Sequence, residues 1–483
     1  MKWSGNNAWR HFLMLSACLT AGCEVFADPL LHNPPPAAIR PLAVQASPST
    51  APPRRATFGT PVEQPIQQAA YMPYAQVEPA QRELSARTLV EQVLARNPSL
   101  AQMTAVWQAA TARYPQVTSL DDPMFGGTIG PASFGSNTVN SAYRLELSQK
   151  LPWPGKLGLR GQNALAEASA AGFDVEDMRL QLIESAQSAF YDYFLATRAL
   201  EVNAEGLRLL QDFKKNAEAR YTNAQGAQQD ILQADVEIGK QRERGLQLER
   251  MRRVSIARIN TLLDLQPDLP LPPPPKQLAV KDALQTPATL RAIALANRPD
   301  LKALMNRIAA EEASLGLAHK EYYPDVEPFV MYDRFMGNTS DTRDLAIMIG
   351  AKVNLPTQTC RRDGAVAEAH AKVAQRRAEL ARLTDQVNFE VQQAFEQVHE
   401  SENAIRLYEK EILPAARANV KTAQAEYMTG KIPFLSLIEA QRNFVGLQDR
   451  FYETTADYFR RRATLERAVG GPPPVGQAFQ PAF

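Results

Sequence analysis

The motif YTNAQGAQQDILQA at Tyr221–Ala234 recurs as YMTGKIPFLSLIEA at Tyr427–Ala440, at a constant offset of 206 residues. Each copy places turn residues between two segments of helical composition. In the second copy, Gly430 is suited to ending one helix and Pro433 to starting the next. The motif therefore predicts a helix, a tight turn and a returning helix, and it predicts this hairpin twice.

The duplication extends far beyond the turn. Shorter motifs also recur, 201 to 209 residues apart: Leu100 and Leu301, Tyr114-Pro115 and Tyr323-Pro324, Leu151-Pro152 and Leu355-Pro356, Ala189-Phe190 and Ala394-Phe395. A repeat of this size determines the architecture more strongly than any single motif does. We therefore expect the chain from about Leu89 to Gly470 to be one unit written twice.

Each unit contains a strand signal. Apolar and polar residues alternate over Tyr143–Ser148 and again over 345–354, and a weaker partner strand precedes each of them, at Met124–Ile129 and Val326–Phe335. Loops rich in Gly, Ser, Asn and Thr separate the partners, at Gly130–Ser141 and Gly337–Asp344. Two interpretations remain open: a small soluble sheet packed on a helix, or a transmembrane hairpin, whose sequence signal is inherently weak.

Long helices occupy most of the remaining chain. The segment Leu159–Asn223 contains no proline, and its length as a helix is on the order of 95 Å. Apolar residues with 3-4 spacing predict a coiled-coil seam in both copies: Ile183, Ala186, Phe190, Tyr193, Thr197, Leu200, Ala204 and Leu207, then Leu380, Leu383, Val387, Val391, Ala394, Val398, Ile405 and Ile412. Returning helices are expected at Asp230–Leu263 and Phe434–Ala468, and Pro414 is expected to kink the second long helix.

Composition excludes several classes of function. The 53 basic and 52 acidic residues nearly balance, which argues against a nucleic-acid surface. The sequence has no phosphate-binding loop, no Gly-x-Ser-x-Gly and no His-x-x-x-His, and its five histidines are scattered. We therefore expect no enzymatic activity, no cofactor and no metal site.

The N-terminus has the features of an export signal, because Lys2 and Arg10 precede the apolar run Phe12–Ala21. Two processing routes remain open. Leu19–Cys23 resembles a lipobox, which would make Cys23 a lipidation site, whereas Val25–Ala27 offers an ordinary cleavage site. Beyond the signal region only Cys360 remains, so no intramolecular disulfide is expected.

These signals divide the chain into six parts. They are a signal peptide (1–27), a Pro-rich disordered linker (28–84), the first repeat (85–266), a Pro-rich inter-repeat linker (267–285), the second repeat (286–470) and a disordered tail (471–483).

From Leu89 to Gly470 the chain resembles TolC-type outer-membrane efflux proteins, and is closest to the heavy-metal-resistance branch. The resemblance is carried by Asn-Pro-x-Leu at the start of the first repeat, by SQKLPWPGK at Ser148–Lys156 between strand and helix, and by the two turns. It implies a mainly α fold with a small β part: a homotrimer forming a twelve-stranded barrel in the outer membrane, continued by a periplasmic helical barrel. A periplasmic adaptor and an inner-membrane pump would be its partners.

The resemblance also implies roles for particular residues. Asp230, Ser436 and Glu439 align with positions at the periplasmic aperture, where polar contacts keep the tunnel closed. The turn residues Tyr221, Gly226, Tyr427 and Gly430 are candidates for docking the adaptor. This sequence departs from the family pattern at Ala224, where a glycine is expected, and at Ser436, where an acid is common.

Simpler interpretations stand beside these. Asp230 and Glu439 each lie in the first turn of a returning helix, where a carboxylate stabilises the helix dipole without any gate. The alternative function is a non-conducting periplasmic coiled-coil scaffold or adaptor, because adaptors also contain long helical hairpins. The duplicated strand pairs argue against it, since a single adaptor hairpin does not need them.

Overall fold

The structure is a computed structural model that describes residues 83–130, 143–278, 285–334 and 346–472, with the side chain of residue 346 excepted. All of these residues belong to one unit, Val77–Phe483. The expected export signal, Cys23, nearly all of the 28–84 linker, the first strand loop except Gly130, the whole second strand loop and most of the 471–483 tail lie outside the described residues.

The two repeats fold in the same order: two shorter helices, two strands, a long helix and a returning helix. In the first repeat these are α1 (Ala86–Arg96), α2 (Pro98–Thr118), β1 (Met124–Ile129), β2 (Tyr143–Ser148), α3 (Lys156–Thr222) and α4 (Gln228–Leu262). In the second they are α5 (Pro287–Asn297), α6 (Pro299–Lys320), β3 (Val326–Arg334), β4 (Ala346–Val353), α7 (Thr359–Leu407) continued by α8 (Leu413–Met428), and α9 (Phe434–Val469).

The four strands form one antiparallel sheet in the order β1-β2-β3-β4. Strand β2 of the first repeat pairs with β3 of the second, with Tyr143 opposite Arg334 and Ser148 opposite Phe329. The repeats therefore share a single sheet. All four predicted strands are confirmed, although β3 ends at Arg334 and Leu345 lies outside the described residues.

The two faces of this sheet differ in character. Phe125, Leu147 and Ile349 lie on one face and are 72%, 52% and 81% exposed. On the other face Arg144 forms a bidentate ion pair with Asp333, with distances of 2.8 and 3.0 Å. An apolar face left open to the surroundings favours the transmembrane interpretation over a soluble sheet whose apolar face is covered by a helix.

The long helix α3 has 67 residues and a length of about 100 Å. The predicted seam is part of a wider buried face in this copy. Ala186, Phe190 and Tyr193 are buried as expected, but so are Ala189 and Phe194, while other expected seam residues are only half-buried. The helix packs against several neighbours, namely α2, α4, α6 and α9, and a two-stranded seam cannot serve all of them.

The second long helix follows the seam more closely, with Val387, Val391, Val398 and Ile405 buried. It is interrupted by a π-helical turn, Tyr408–Ile412, directly before Pro414. Proline has no N–H for the α-helical hydrogen bond, and its ring clashes with the carbonyl four residues earlier. The predicted irregularity at Pro414 is thus present as a π-turn, which joins α7 to α8.

The junction between sheet and helix is built around a buried lysine. Lys156 is 0% exposed, and its Nζ lies 2.8 Å from Asp325 Oδ1 and 3.7 Å from Glu321 Oε2. Asp325 Oδ1 also accepts the Trp153 N–H at 2.9 Å. Burial alone would raise the pKa of Asp325, but the hydrogen bonds from Lys156 and Trp153 and the lysine charge together lower it. This pair connects the SQKLPWPGK motif of the first repeat to the start of β3 in the second.

The inter-repeat linker is packed onto the helices. Asn260 Nδ2 donates to the carbonyls of Pro267 and Leu269 at 3.2 and 2.8 Å, and Tyr193 Oη donates to the Pro272 carbonyl at 3.3 Å. The part of this linker that the structure describes is therefore held in place by both α3 and α4.

Helices that are both long enough and apolar enough to cross a bilayer are absent from the described part of the chain.

Candidate functional site

The two helix turns have the same backbone geometry. Ala224 and Gly430, which are equivalent in the repeat, both have positive φ, at 55° and 75°. The N–H of Gln225 donates to the Arg220 carbonyl at 2.8 Å, as the N–H of Lys431 donates to the Glu426 carbonyl at 2.9 Å. This is the hydrogen-bond pattern of a Schellman motif, which favours glycine at the left-handed position. Ala224 takes this position in the first turn although it is not a glycine, and Gly226 lies two residues further along.

Replacing Ala224 with glycine should therefore stabilise the first turn. An alanine in the left-handed region costs about 1 to 2 kcal/mol, and the greater freedom of glycine in the unfolded chain offsets part of the gain, which leaves roughly 0.5 to 1 kcal/mol. We expect slower hydrogen exchange at the Gln225 amide. Gly430→Ala is the matched control and should accelerate exchange at Lys431. Faster exchange in Ala224→Gly would contradict this account.

Three side chains join the two turns. Tyr427 is 3% exposed, and its hydroxyl donates to Asp230 Oδ2 at 3.2 Å. The Arg220 guanidinium lies 4.7 Å from the centre of the Tyr427 ring and donates to the Tyr427 carbonyl. Burial, the Asp230 charge and the hydrogen bond to Asp230 together raise the pKa of Tyr427 to about 12, so its hydroxyl remains a donor.

A second layer of contacts lies further along the returning helices. Glu237 is 6% exposed and accepts two hydrogen bonds from Arg442, one of them 2.8 Å long from Nε. Hydrogen bonding from Arg442 lowers the pKa of Glu237, although burial opposes this. Seven residues after Glu237 on α4, Arg244 forms an ion pair with Asp449. Both pairs join α4 of the first repeat to α9 of the second.

These contacts follow a regular spacing. Asp230, Glu237 and Arg244 are seven residues apart along α4, so they lie on one helix face. Arg442 and Asp449 are also seven apart on α9. Sequence reasoning missed Arg220, Glu237 and Arg442. The charged residues spaced seven apart from Asp230 form a stripe along α4, and this spacing was the signal that could have revealed Glu237.

A small polar cavity interrupts the packing beside this stripe. It has a volume of 120 Å³ and is lined by Gly206, Gln241, Gln441 and the arginines of both ion pairs. Gln441 is 2% exposed. Leu210 and Val445 also line the cavity, so the interface between the two hairpins combines polar groups with apolar packing at this level.

Ser436 and Glu439 lie elsewhere, in a groove of the second hairpin. They line an open depression of 390 Å³ between α8 and α9, together with Asn419, Glu426 and Asn443. Glu439 is exposed and Ser436 is half-buried. Within the described ranges, no hydrogen bond or ion pair joins either of them to Asp230. The structure therefore brings Asp230 together with Tyr427, and not with the other two residues predicted for the aperture.

The four turn residues also separate into two groups. Tyr221 is 48% exposed and Gly430 is exposed, while Gly226 is half-buried beside Arg220. Tyr427, by contrast, uses both its ring and its hydroxyl inside the chain. Tyr221, Gly226 and Gly430 thus remain the docking candidates at the tip, and Tyr427 belongs to the contacts between the hairpins.

The chain is similar to known proteins both in sequence and in fold. Residues 290–471 match the family described as "Outer membrane efflux protein". Nodulation protein T of Rhizobium leguminosarum bv. viciae is 24% identical over 401 residues, which are 79% of each chain. Cation efflux system protein CusC of Escherichia coli K12 is 22% identical over 418 residues, which are 80% of this chain and 86% of CusC.

Among solved structures, the outer-membrane channel OprN superposes with a TM-score of 0.70 at 22% identity, covering 80% of this chain and 90% of OprN. The matched family is one of transport proteins rather than enzymes. The fold class expected from the sequence, a small antiparallel sheet continued by long helices as in outer-membrane channels, is present. The resemblance to TolC-type outer-membrane efflux proteins is therefore confirmed, by sequence over the second repeat and by fold over about four fifths of the chain.

Proposed function

We propose that this chain is the outer-membrane channel of a tripartite efflux system. Three copies form a passive exit duct, to which a periplasmic adaptor and an inner-membrane pump deliver the substrate. The observation that carries the proposal is the four-stranded sheet with one exposed apolar face, joined to helices about 100 Å long. Such a sheet fits the outer membrane, and such helices fit a tunnel through the periplasm.

The edges of the sheet support the assembly of several copies into one barrel. Strands β1 and β4 each have one edge that no strand of the described chain pairs. In lipid every backbone polar group needs a partner, so strands must close into a barrel. Two copies would give eight strands, a size whose interior side chains fill or which holds one small ligand. Twelve strands from three copies leave a wider passage, lined by polar residues such as Arg144 and Asp333.

The contacts between the hairpins support a gate at this end of the helices. The Asp230–Tyr427–Arg220 cluster and the Glu237–Arg442 and Arg244–Asp449 pairs hold α4 against the second hairpin. Moving one hairpin away from the other would widen the aperture and requires these contacts to break. Ser436 and Glu439 line the groove of the second hairpin and complete the aperture. Tyr221, Gly226 and Gly430 at the tips of the hairpins then offer a surface for the adaptor.

The alternative is a non-conducting periplasmic scaffold or adaptor. An adaptor has no use for a sheet built from both repeats with an exposed apolar face, and this observation favours the channel. The absence of a phosphate-binding loop in the sequence means that energy for transport would come from the pump.

The test is planar-bilayer conductance of the purified, detergent-extracted protein, with the oligomer mass measured on the same sample. We expect a trimer of outer-membrane origin that produces discrete channels. A soluble monomer without conductance would support the scaffold and contradict the channel. A silent trimer would indicate a closed gate, and the gate variants described in the Discussion should then produce conductance.

A further inference from the structure

Two of the five histidines meet on neighbouring helices. His319 lies in the last turn of α6 and His370 in the fourth turn of α7, and both are exposed. Their ring centres are 6.0 Å apart and the rings are perpendicular, with an interplanar angle of 79°. They are separated by 51 positions in the sequence, so no local motif announces the pair.

This distance suits a shared metal ion. An imidazole that binds an ion at about 2.0 to 2.1 Å has its ring centre about 3 Å from that ion. Two rings on one ion therefore have centres about 4.5 to 6 Å apart, depending on the angle at the metal. The observed separation of 6.0 Å lies at the wide end of this interval.

Side-chain contacts join α6 to α7 on both sides of the histidine pair. On one side of the histidines, Arg377 donates to Glu312 at 2.7 Å. On the other side, the Arg362 Nε donates to the Glu321 carbonyl at 2.7 Å, and the Tyr322 hydroxyl donates to Asp363. The register of α6 against α7 is thus set independently of the histidines, and ligands placed by such a rigid frame lose little entropy on binding.

The two lysines that lie near these histidines in the sequence make contacts with other residues. The ammonium of Lys320 lies 5.2 Å from the centre of the Tyr323 ring, and that of Lys372 forms an ion pair with Glu368 at 2.7 Å. In the residues that the structure describes, no group of three or more His, Cys, Asp or Glu side chains is arranged for a metal. Water would therefore complete the coordination, which gives an exchangeable site rather than a structural one.

We propose that His319 and His370 bind one late first-row transition-metal ion, with Cu²⁺ bound most tightly. Imidazole ligands suit Cu²⁺, Ni²⁺ and Zn²⁺, whereas Mg²⁺ prefers oxygen ligands. A bound ion would link α6 to α7 immediately below the sheet. The site does not depend on conduction and stands whether or not the chain is a channel.

The experiment titrates full-length detergent-extracted protein, purified without a polyhistidine tag, with CuCl₂ under electron paramagnetic resonance and calorimetry. We expect one Cu²⁺ per chain at this site, with two nitrogen ligands in the spectrum. His319→Ala and His370→Ala should each weaken binding by roughly tenfold or more. NiCl₂ and ZnCl₂ should bind more weakly than CuCl₂, and MgCl₂ should not compete.

The chain supplies a matched control. His399 is exposed on the same helix but stacks on Phe395, with ring centres 6.2 Å apart, so His399→Ala should bind like the parent. Copper bound elsewhere persists in the His319→Ala/His370→Ala double variant and is subtracted. The proposal is overturned if the two single variants titrate like the parent, or if His399→Ala loses as much affinity as they do.

Discussion

Replacing Asp325 with alanine is expected to lower the free energy of unfolding by about 3 to 5 kcal/mol. The substitution leaves the Lys156 ammonium buried, with the more distant and half-exposed Glu321 as its nearest carboxylate. It also removes the acceptor of the Trp153 N–H. We would measure thermal unfolding by circular dichroism in detergent and expect melting at a temperature lower by several degrees.

Two further variants test the physical cause. Glu321→Ala removes the weaker partner of Lys156 and should have a much smaller effect. Adding Lys156→Met to Asp325→Ala removes the isolated charge and should recover most of the loss, because an apolar pair in place of a buried ion pair is often tolerated. A double variant less stable than Asp325→Ala alone would show that the lone charge is not the cause.

The second large effect concerns conductance. Asp230→Ala combined with Glu237→Ala removes two carboxylates of α4 that accept hydrogen bonds from the second hairpin. Hydrogen bonds to charged groups contribute about 1.5 to 3 kcal/mol each, so their joint loss should raise the open-to-closed ratio at least about tenfold. The measurement is the open probability of single channels in planar bilayers.

The control for this prediction is Glu439→Ala. From sequence, Asp230 and Glu439 were equal candidates for the gate, but among the described residues Asp230 accepts a hydrogen bond from the opposite hairpin and Glu439 does not. Glu439→Ala should therefore change the open probability far less than the double variant. An equal effect of the two would assign closure to the groove of the second hairpin instead.

The contacts between the two hairpins illustrate where sequence reasoning stops. Asp230 and Tyr427 could each be named from the repeated turn, yet nothing in their surroundings showed that they bond to each other across 197 positions. Arg220 was missed because an arginine in the last turn of a helix ordinarily serves the helix dipole. Glu237 was missed because a single glutamate on a long helix is ordinarily exposed, and only the opposing α9 makes it a buried partner of Arg442.

Features governed by neighbours in the sequence were determined by the sequence alone. The duplication, the four strands, the long helices and the irregularity at Pro414 follow from periodicity and from the stereochemistry of proline, which act within a few residues. Only the tertiary structure decided that β2 pairs with β3, that Ala224 takes the conformation of Gly430, and that His319 meets His370. Each of these depends on where a distant backbone segment passes, and that position results from the packing of all the helices together.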